Sequence, residues 1–167
     1  MLDTVIRNCQ LVFPFGEVQE GYVGVADGRI ACLGQGEAPA AREALNGGGH
    51  HLFPGVIDPH TQWGGYVNPA DPDDDYRTET RSGAIGGVTT AIRYMRSMEP
   101  YEKLMEAEEA LIARRCHIDV AYHLLVMTEH HLAHIQEYAR TLGCLSFKFL
   151  MAYRGEEGKG LGIAGID

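Results

Sequence analysis

After Leu52 the chain repeats one pattern: an apolar run short enough to be a strand, then a stretch carrying helix signals. The runs read LFPGVID, VTTAIRYM, IDVAYHLLVM and LSFKFLMAY. They are apolar almost throughout rather than alternating, as strands buried on both faces are. Between them, DYRTETRSGAIGG reads as a short helix ended by Gly86-Gly87. PYEKLMEAEEALIARR opens on Pro100 and places Glu102, Glu106, Glu108 and Glu109 ahead of Arg114 and Arg115, the charge order that suits a helix dipole. Thr128 caps EHHLAHIQEYARTL, which Gly143 stops. Strands separated by helices imply parallel β/α units. A doubly wound sheet and half of a (β/α)8 barrel both answer to this pattern. A whole barrel takes roughly 250 residues, and the chain has 167.

Residues 1–51 follow a different rule. TVIRN, QLVFPF, GYVGVA and RIACLG are short strand-like runs bounded by Gly, Asn and Asp. Asp27-Gly28 is a two-residue hairpin signal, since that turn wants positive φ at its centre. GEAPAAREALNGGG reads as a loop or short helical turn. The chain therefore divides into an all-β portion, 1–51, and a β/α portion, 52–167.

Composition excludes several function classes. The net charge of −9, with scattered basic residues, argues against a nucleic-acid partner. No apolar run approaches a membrane span, and MLDTVIRNCQ lacks the basic and apolar regions of a secretion signal. Cys9, Cys32, Cys116 and Cys144 lie far apart without a CxxC pair, which reads as reduced thiols of a cytoplasmic protein.

Two places carry candidate chemistry. In PGVIDPHTQW, the period of two along a strand predicts that Asp58, His60 and Gln62 share a face, at the strand end where parallel α/β proteins bind ligands. In LSFKFLMAY a lone amine, Lys148, sits mid-strand, and lysine is almost never fully buried without a partner. Desolvation lowers a buried lysine's pKa and leaves a neutral amine. Such an amine attacks carbon dioxide to give a carbamate, an anion able to bridge two divalent cations. The structural alternative is a lysine whose stem packs while its head reaches water or pairs with an acid such as Asp58. Chemistry alone leaves both readings standing.

Other motifs are set aside. GLGIAG, residues 160–165, matches G-x-G-x-x-G, but the chain has no room for the helix and the distant acid that a dinucleotide site needs. Leu132, Ile135, Ala139 and Leu142 form one helical stripe, which predicts a solvated face for His130 and His134. His117, Asp119 and His123 share one side of the third strand, and His123 is read as a structural hydrogen-bonding residue. DPDDDY, residues 71–76, reads as a loop and helix cap rather than a calcium loop.

FPGVIDPHTQ, then DDDYRTETRSGAIGGVTT, then SFKFLMAYRG resemble, in order and spacing, the dihydropyrimidinase and hydantoinase branch of the cyclic amidohydrolases. GYVGVADGRIACLG is similar to that family's opening β-sandwich strands. The resemblance implies part of a small β-sandwich followed by the first four β/α units of a (β/α)8 barrel. It implies a metal-dependent hydrolase in which a metal-activated hydroxide opens the amide bond of a cyclic ureide. Up to two divalent ions, zinc by resemblance, are implied, with Lys148 as the carboxylated bridging ligand and His60 as a ligand of the first metal. Tyr153 would bind substrate and stabilise the developing oxyanion. The family's His-x-His is His60-Thr61-Gln62 here, and a neutral amide oxygen binds zinc less well than imidazole. A homo-oligomer, tetrameric by resemblance, is implied too.

The remaining ligands of the family come from later strands. An isolated half barrel would leave open strand edges and an exposed apolar interior. The expectation is a fragment of a longer polypeptide, or a chain completed by other copies. The rival from another class is a non-catalytic scaffold with a degraded metal site, which Gln62 favours.

Overall fold

The computed structural model describes residues 1–65 and 70–151. Two compact units result, Met1–Pro54 and Gly55 onward. The first holds a five-stranded sheet. β1 (Leu2–Val12) pairs antiparallel with β2 (Val18–Ala26), which pairs with β3 (Arg29–Gly34) across the Asp27-Gly28 turn. Both turn residues have positive φ, 50° and 69°, as the two-residue hairpin requires. The runs TVIRN and QLVFPF are one strand, not two. Its register shifts between Ile6 and Cys9, where Asn8 takes φ 57°, so β1 carries a bulge.

The segment read as a loop or helical turn is instead β4 (Ala41–Asn46), parallel to β1. Only its first residue is partly buried. An edge strand facing solvent on nearly every residue has no apolar period to betray it. β5 (His51–Leu52) also pairs with β1. The core of this unit is Cys9, Leu11 and Val23, with Ile6, Phe13, Val25 and Leu52 packed against it.

In the second unit β6 (Val56–Thr61), β7 (Val88–Met95), β8 (Asp119–Leu125) and β9 (Ser146–Lys148) form a parallel sheet in the order β6-β7-β8-β9. Each new strand adds to the same edge. A doubly wound sheet reverses direction at a switch point, so this order is that of a half barrel. Helix α1 (Pro72–Ile85) begins where Asp71 accepts a hydrogen bond from the Asp74 amide, and it stops ahead of Gly87 at φ 88°.

The helix from Pro100 starts as a separate 3-10 turn, Tyr101–Lys103, before α2 (Met105–Arg115). Tyr101 is fully buried, with its hydroxyl within bonding distance of the Met95 and Leu125 carbonyls, which pins that turn to the strand ends. The next helix is capped by Thr128 but breaks at His134 into α3 (Glu129–Ala133) and α4 (Ile135–Thr141). The expected apolar stripe fails with it. Leu132 is 49% exposed, while His131 and Tyr138 are buried. His131 is tolerated inside because its ring accepts from the Met127 amide and bonds the Glu99 carbonyl. His130 and His134 are half-buried, their rings stacked 3.9 Å apart.

LSFKFLMAY, finally, pairs only over Ser146–Lys148. Among the described residues β9 pairs with β8 alone, and Leu145 and Met151 on either side of it are exposed. The sheet's core comprises Met95, Tyr101, Met105, Leu124, Tyr138 and Cys144 in one cluster, and Trp63, Tyr76 and Ala91 in another. No described helix is long and apolar enough to cross a membrane. Tyr153 and the GLGIAG motif lie outside the described residues.

Candidate functional site

Parallel register brings one row of side chains together across the strand ends. Tyr94 of β7 lies opposite His123 of β8, and His123 lies opposite Ser146 of β9. His60 of β6 reaches the same row, its ring centroid 4.5 Å from that of Tyr94 in an edge-on contact. On the other side Tyr94 packs against His123 at 4.8 Å. The Lys148 Nζ stands 4.0 Å from the centre of the Tyr94 ring. The two sequence candidates His60 and Lys148 thus converge on one aromatic ring. Neither Tyr94 nor Ser146 stood out in the sequence. Alternation about Arg93 in AIRYM was the available signal, since it sends adjacent residues to opposite faces.

His123 faces this row and is engaged at both ring nitrogens. Its Nε2 lies 2.9 Å from the Pro59 carbonyl oxygen, and its Nδ1 bonds the Ser146 hydroxyl. The His60 imidazole, in contrast, makes no hydrogen bond among the described residues, although its backbone amide donates to Asp58 at 3.0 Å. Lys148 is half-buried, not buried, and pairs with no carboxylate among the described residues.

Asp58 and His60 do not share a face. The β6 register is irregular between Asp58 and Thr61, and Asp58 pairs with Ala91 of the helix-covered core while His60 packs on Tyr94. Gln62 lies past the last paired residue of β6 and is exposed. It borders a hollow of about 330 Å³ shared with Asp58, Trp63, Glu79 and Ser82. No described contact joins it to the His60–Lys148 pair.

The turn after His60 is clamped from the opposite face of the sheet. Arg93 is buried there. Its Nε donates to the Trp63 carbonyl at 3.1 Å and its Nη1 to Glu108 at 2.7 Å, and its guanidinium lies 5.0 Å from the centre of the Tyr76 ring. Tyr76 donates its hydroxyl to the same carboxylate, 2.8 and 2.9 Å from its two oxygens. Burial pushes the Tyr76 phenol well above its usual range; Arg93 opposes the shift and Glu108 adds to it. Gly64, at φ 84°, sits so close that a Cβ would lie 2.7 Å from the Arg93 Nη2. Burial also raises the Cys116 and Cys144 thiols, and all four cysteines are free.

Among the described residues, no group of three or more His, Cys, Asp or Glu side chains is placed to hold a metal ion. What is present fits part of such a centre. An exposed imidazole without a hydrogen-bond partner and a half-buried amine without a carboxylate both contact the Tyr94 ring, and each is a metal ligand once the amine is carboxylated.

No family model matches the chain. It is 31% identical over 146 residues to a D-hydantoinase of Geobacillus stearothermophilus, covering 83% of this chain and 30% of that protein. It is also 31% identical over 159 residues to a D-hydantoinase of Rhizobium radiobacter, covering 92% and 34%. A crystal structure of a D-hydantoinase superposes with a TM-score of 0.76 at 29% identity, over 93% of this chain and 34% of that one. The chain spans about a third of the length of these curated relatives. Over that third, in sequence and in fold, it belongs to the dihydropyrimidinase and hydantoinase branch of the cyclic amidohydrolases.

Proposed function

We propose that the protein hydrolyses the amide bond of a cyclic ureide, of the dihydropyrimidine or hydantoin type. The observation that carries this reading is the convergence of His60 and Lys148, both without polar partners among the described residues, on the Tyr94 ring. The Lys148 amine, in its unprotonated form, attacks CO2; an N–C bond forms, a proton leaves to solvent, and the side chain becomes a carboxylate. His60 and that carboxylate would hold divalent metal, zinc in this reading and up to two ions, while Gln62, which borders a different hollow, is left out of the ligand set. The chemistry such an ion supplies is Lewis acidity and a water whose pKa falls to about 7. Tyr153 donates its phenol proton in a hydrogen bond to the oxyanion that develops on the substrate carbonyl.

The wider reading has residues 1–51 as part of a β-sandwich and 52–167 as four β/α units of a barrel whose other strands lie in a longer protein. Support comes from the relatives, about three times the length of this chain. A cytoplasmic homo-oligomer, tetrameric in this reading, completes it. The relatives are named for hydantoin hydrolysis, which weighs against the scaffold reading that Gln62 raises.

The test is turnover of hydantoin and dihydrouracil by the intact protein, with metal content measured on the same sample. Activity that needs divalent metal, and that His60→Ala and Lys148→Ala each abolish, supports the proposal. A folded, metal-loaded protein that opens neither ring contradicts it.

A further inference from the structure

We propose that His123 is a positioning residue that sets the separation of His60 and Lys148; the inference rests on the function proposed above. β6 is most weakly paired near its C-terminal end. Ladder pairing lapses between Asp58 and Thr61, and Pro59 has no N–H to donate. Residues 59 and 60, the ones that deliver the His60 imidazole, are therefore not held by the sheet in the ordinary way. The strand beside them, β7, is not what grips them. His123 reaches from β8, one strand further on, to the Pro59 carbonyl at 2.9 Å.

The partners define the direction of the bonds. A carbonyl oxygen only accepts, so Nε2 carries the hydrogen and donates to Pro59. In the neutral ring Nδ1 is then a lone pair, and it accepts the Ser146 hydroxyl proton. Ser146 precedes Lys148 by two residues on a strand, so both side chains leave the same face. One imidazole thus links the strand end of His60 to the strand of Lys148. It also supports Tyr94, the ring on which both candidates rest. His123 touches neither donor atom. Its effect passes through backbone placement, the way outer-shell partners orient metal ligands.

The experiment compares His123→Phe, His123→Gln and Ser146→Ala in the intact protein. The first keeps a ring and loses both hydrogen bonds, the second keeps a donor for the Pro59 carbonyl, and the third loses only the Ser146 link. Two readouts are taken: zinc affinity by chelator competition, and amide hydrogen exchange at Asp58, His60 and Thr61. His123→Phe is expected to weaken zinc binding about 10–100-fold, the range for outer-shell partners, and to speed exchange at the β6 end. His123→Gln is expected to restore most of both, and Ser146→Ala to fall between. Wild-type zinc affinity and exchange in His123→Phe would overturn the inference, as would equal defects in the Gln and Phe variants, which would mean packing alone. Should the wild-type protein bind no zinc, the proposed function fails separately. The exchange readout then decides the His123 tether by itself: acceleration in His123→Phe rescued by His123→Gln supports it, and its absence refutes it.

Discussion

Two cations on opposite faces of one sheet are treated in opposite ways. Arg93, on the helix-covered face, has a side chain only 8% exposed and is fully occupied: a carboxylate at 2.7 Å, a carbonyl at 3.1 Å and an aromatic ring beneath it. Lys148, on the other face, has one ring for company and no described carboxylate. A buried charge without a partner is strongly unfavourable, so a cation that serves the fold is paired on every side. A cation–π contact that is not desolvated is worth only about 0.5–1 kcal/mol. It holds an amine in place and yields to a stronger interaction. In the function proposed above, the difference separates a cation kept for architecture from an amine kept for chemistry.

The comparison breaks most visibly at Glu108. Glu108→Gln leaves Arg93 buried without its counter-charge and should cost about 3–5 kcal/mol, read from denaturant midpoints. A loss under about 1 kcal/mol would mean that the Arg93 site is solvated and the contrast is false. Tyr76→Phe removes the hydroxyl that donates to the Glu108 carboxylate and should cost about 1.5–3 kcal/mol. Lys148→Met should lower stability by no more than about 1 kcal/mol, since only the ring contact is lost, while removing metal binding. A larger stability loss would make Lys148 a second architectural cation.

The smallest expected effect is a pH dependence at the Glu102–Tyr138–His130 contact. Partial burial raises the Glu102 pKa, but hydrogen bonds from backbone, Tyr138 and His130 outweigh it and hold the carboxyl below its usual range. Its contribution is complete above the ordinary carboxylate range and fades as pH falls through the depressed value. Burial, with the bond to Glu102, pushes Tyr138 from 10.0 to about 12, so its contribution is lost as pH rises through that interval. Unfolding midpoints in wild type and Tyr138→Phe should therefore converge at both extremes of pH. A difference that stays constant from acid to alkali would contradict this.

How far the sequence was readable follows from the same physics. The β/α alternation was legible because the strand runs are apolar almost end to end, although β6 has no buried residue here, and Asp71, Thr128 and Asp27-Gly28 announce caps and a turn by their own local chemistry. β4 was hidden because it has almost no buried residue to create a period. The break at His134 was hidden because a polar ring, His131, is buried where an apolar residue was expected and its bonds come from distant Glu99 and nearby Met127. Within the site, His60 and Lys148 carried local signals, a histidine after a strand and an amine inside one. Tyr94, His123 and Ser146 acquire their places only through register between strands far apart in the chain. The separation of Asp58 from His60 is likewise a ladder irregularity at a proline, which a period of two cannot foresee.

The most direct measurement of the central claim is 13C NMR of the intact, metal-loaded protein equilibrated with 13C-bicarbonate. The account expects a protein-bound carbamate carbon that disappears in Lys148→Ala, with the lysine head moved off the Tyr94 ring in a metal-bound crystal structure. No carbamate signal, and a plain ammonium still lying over Tyr94 with metal present, would contradict it.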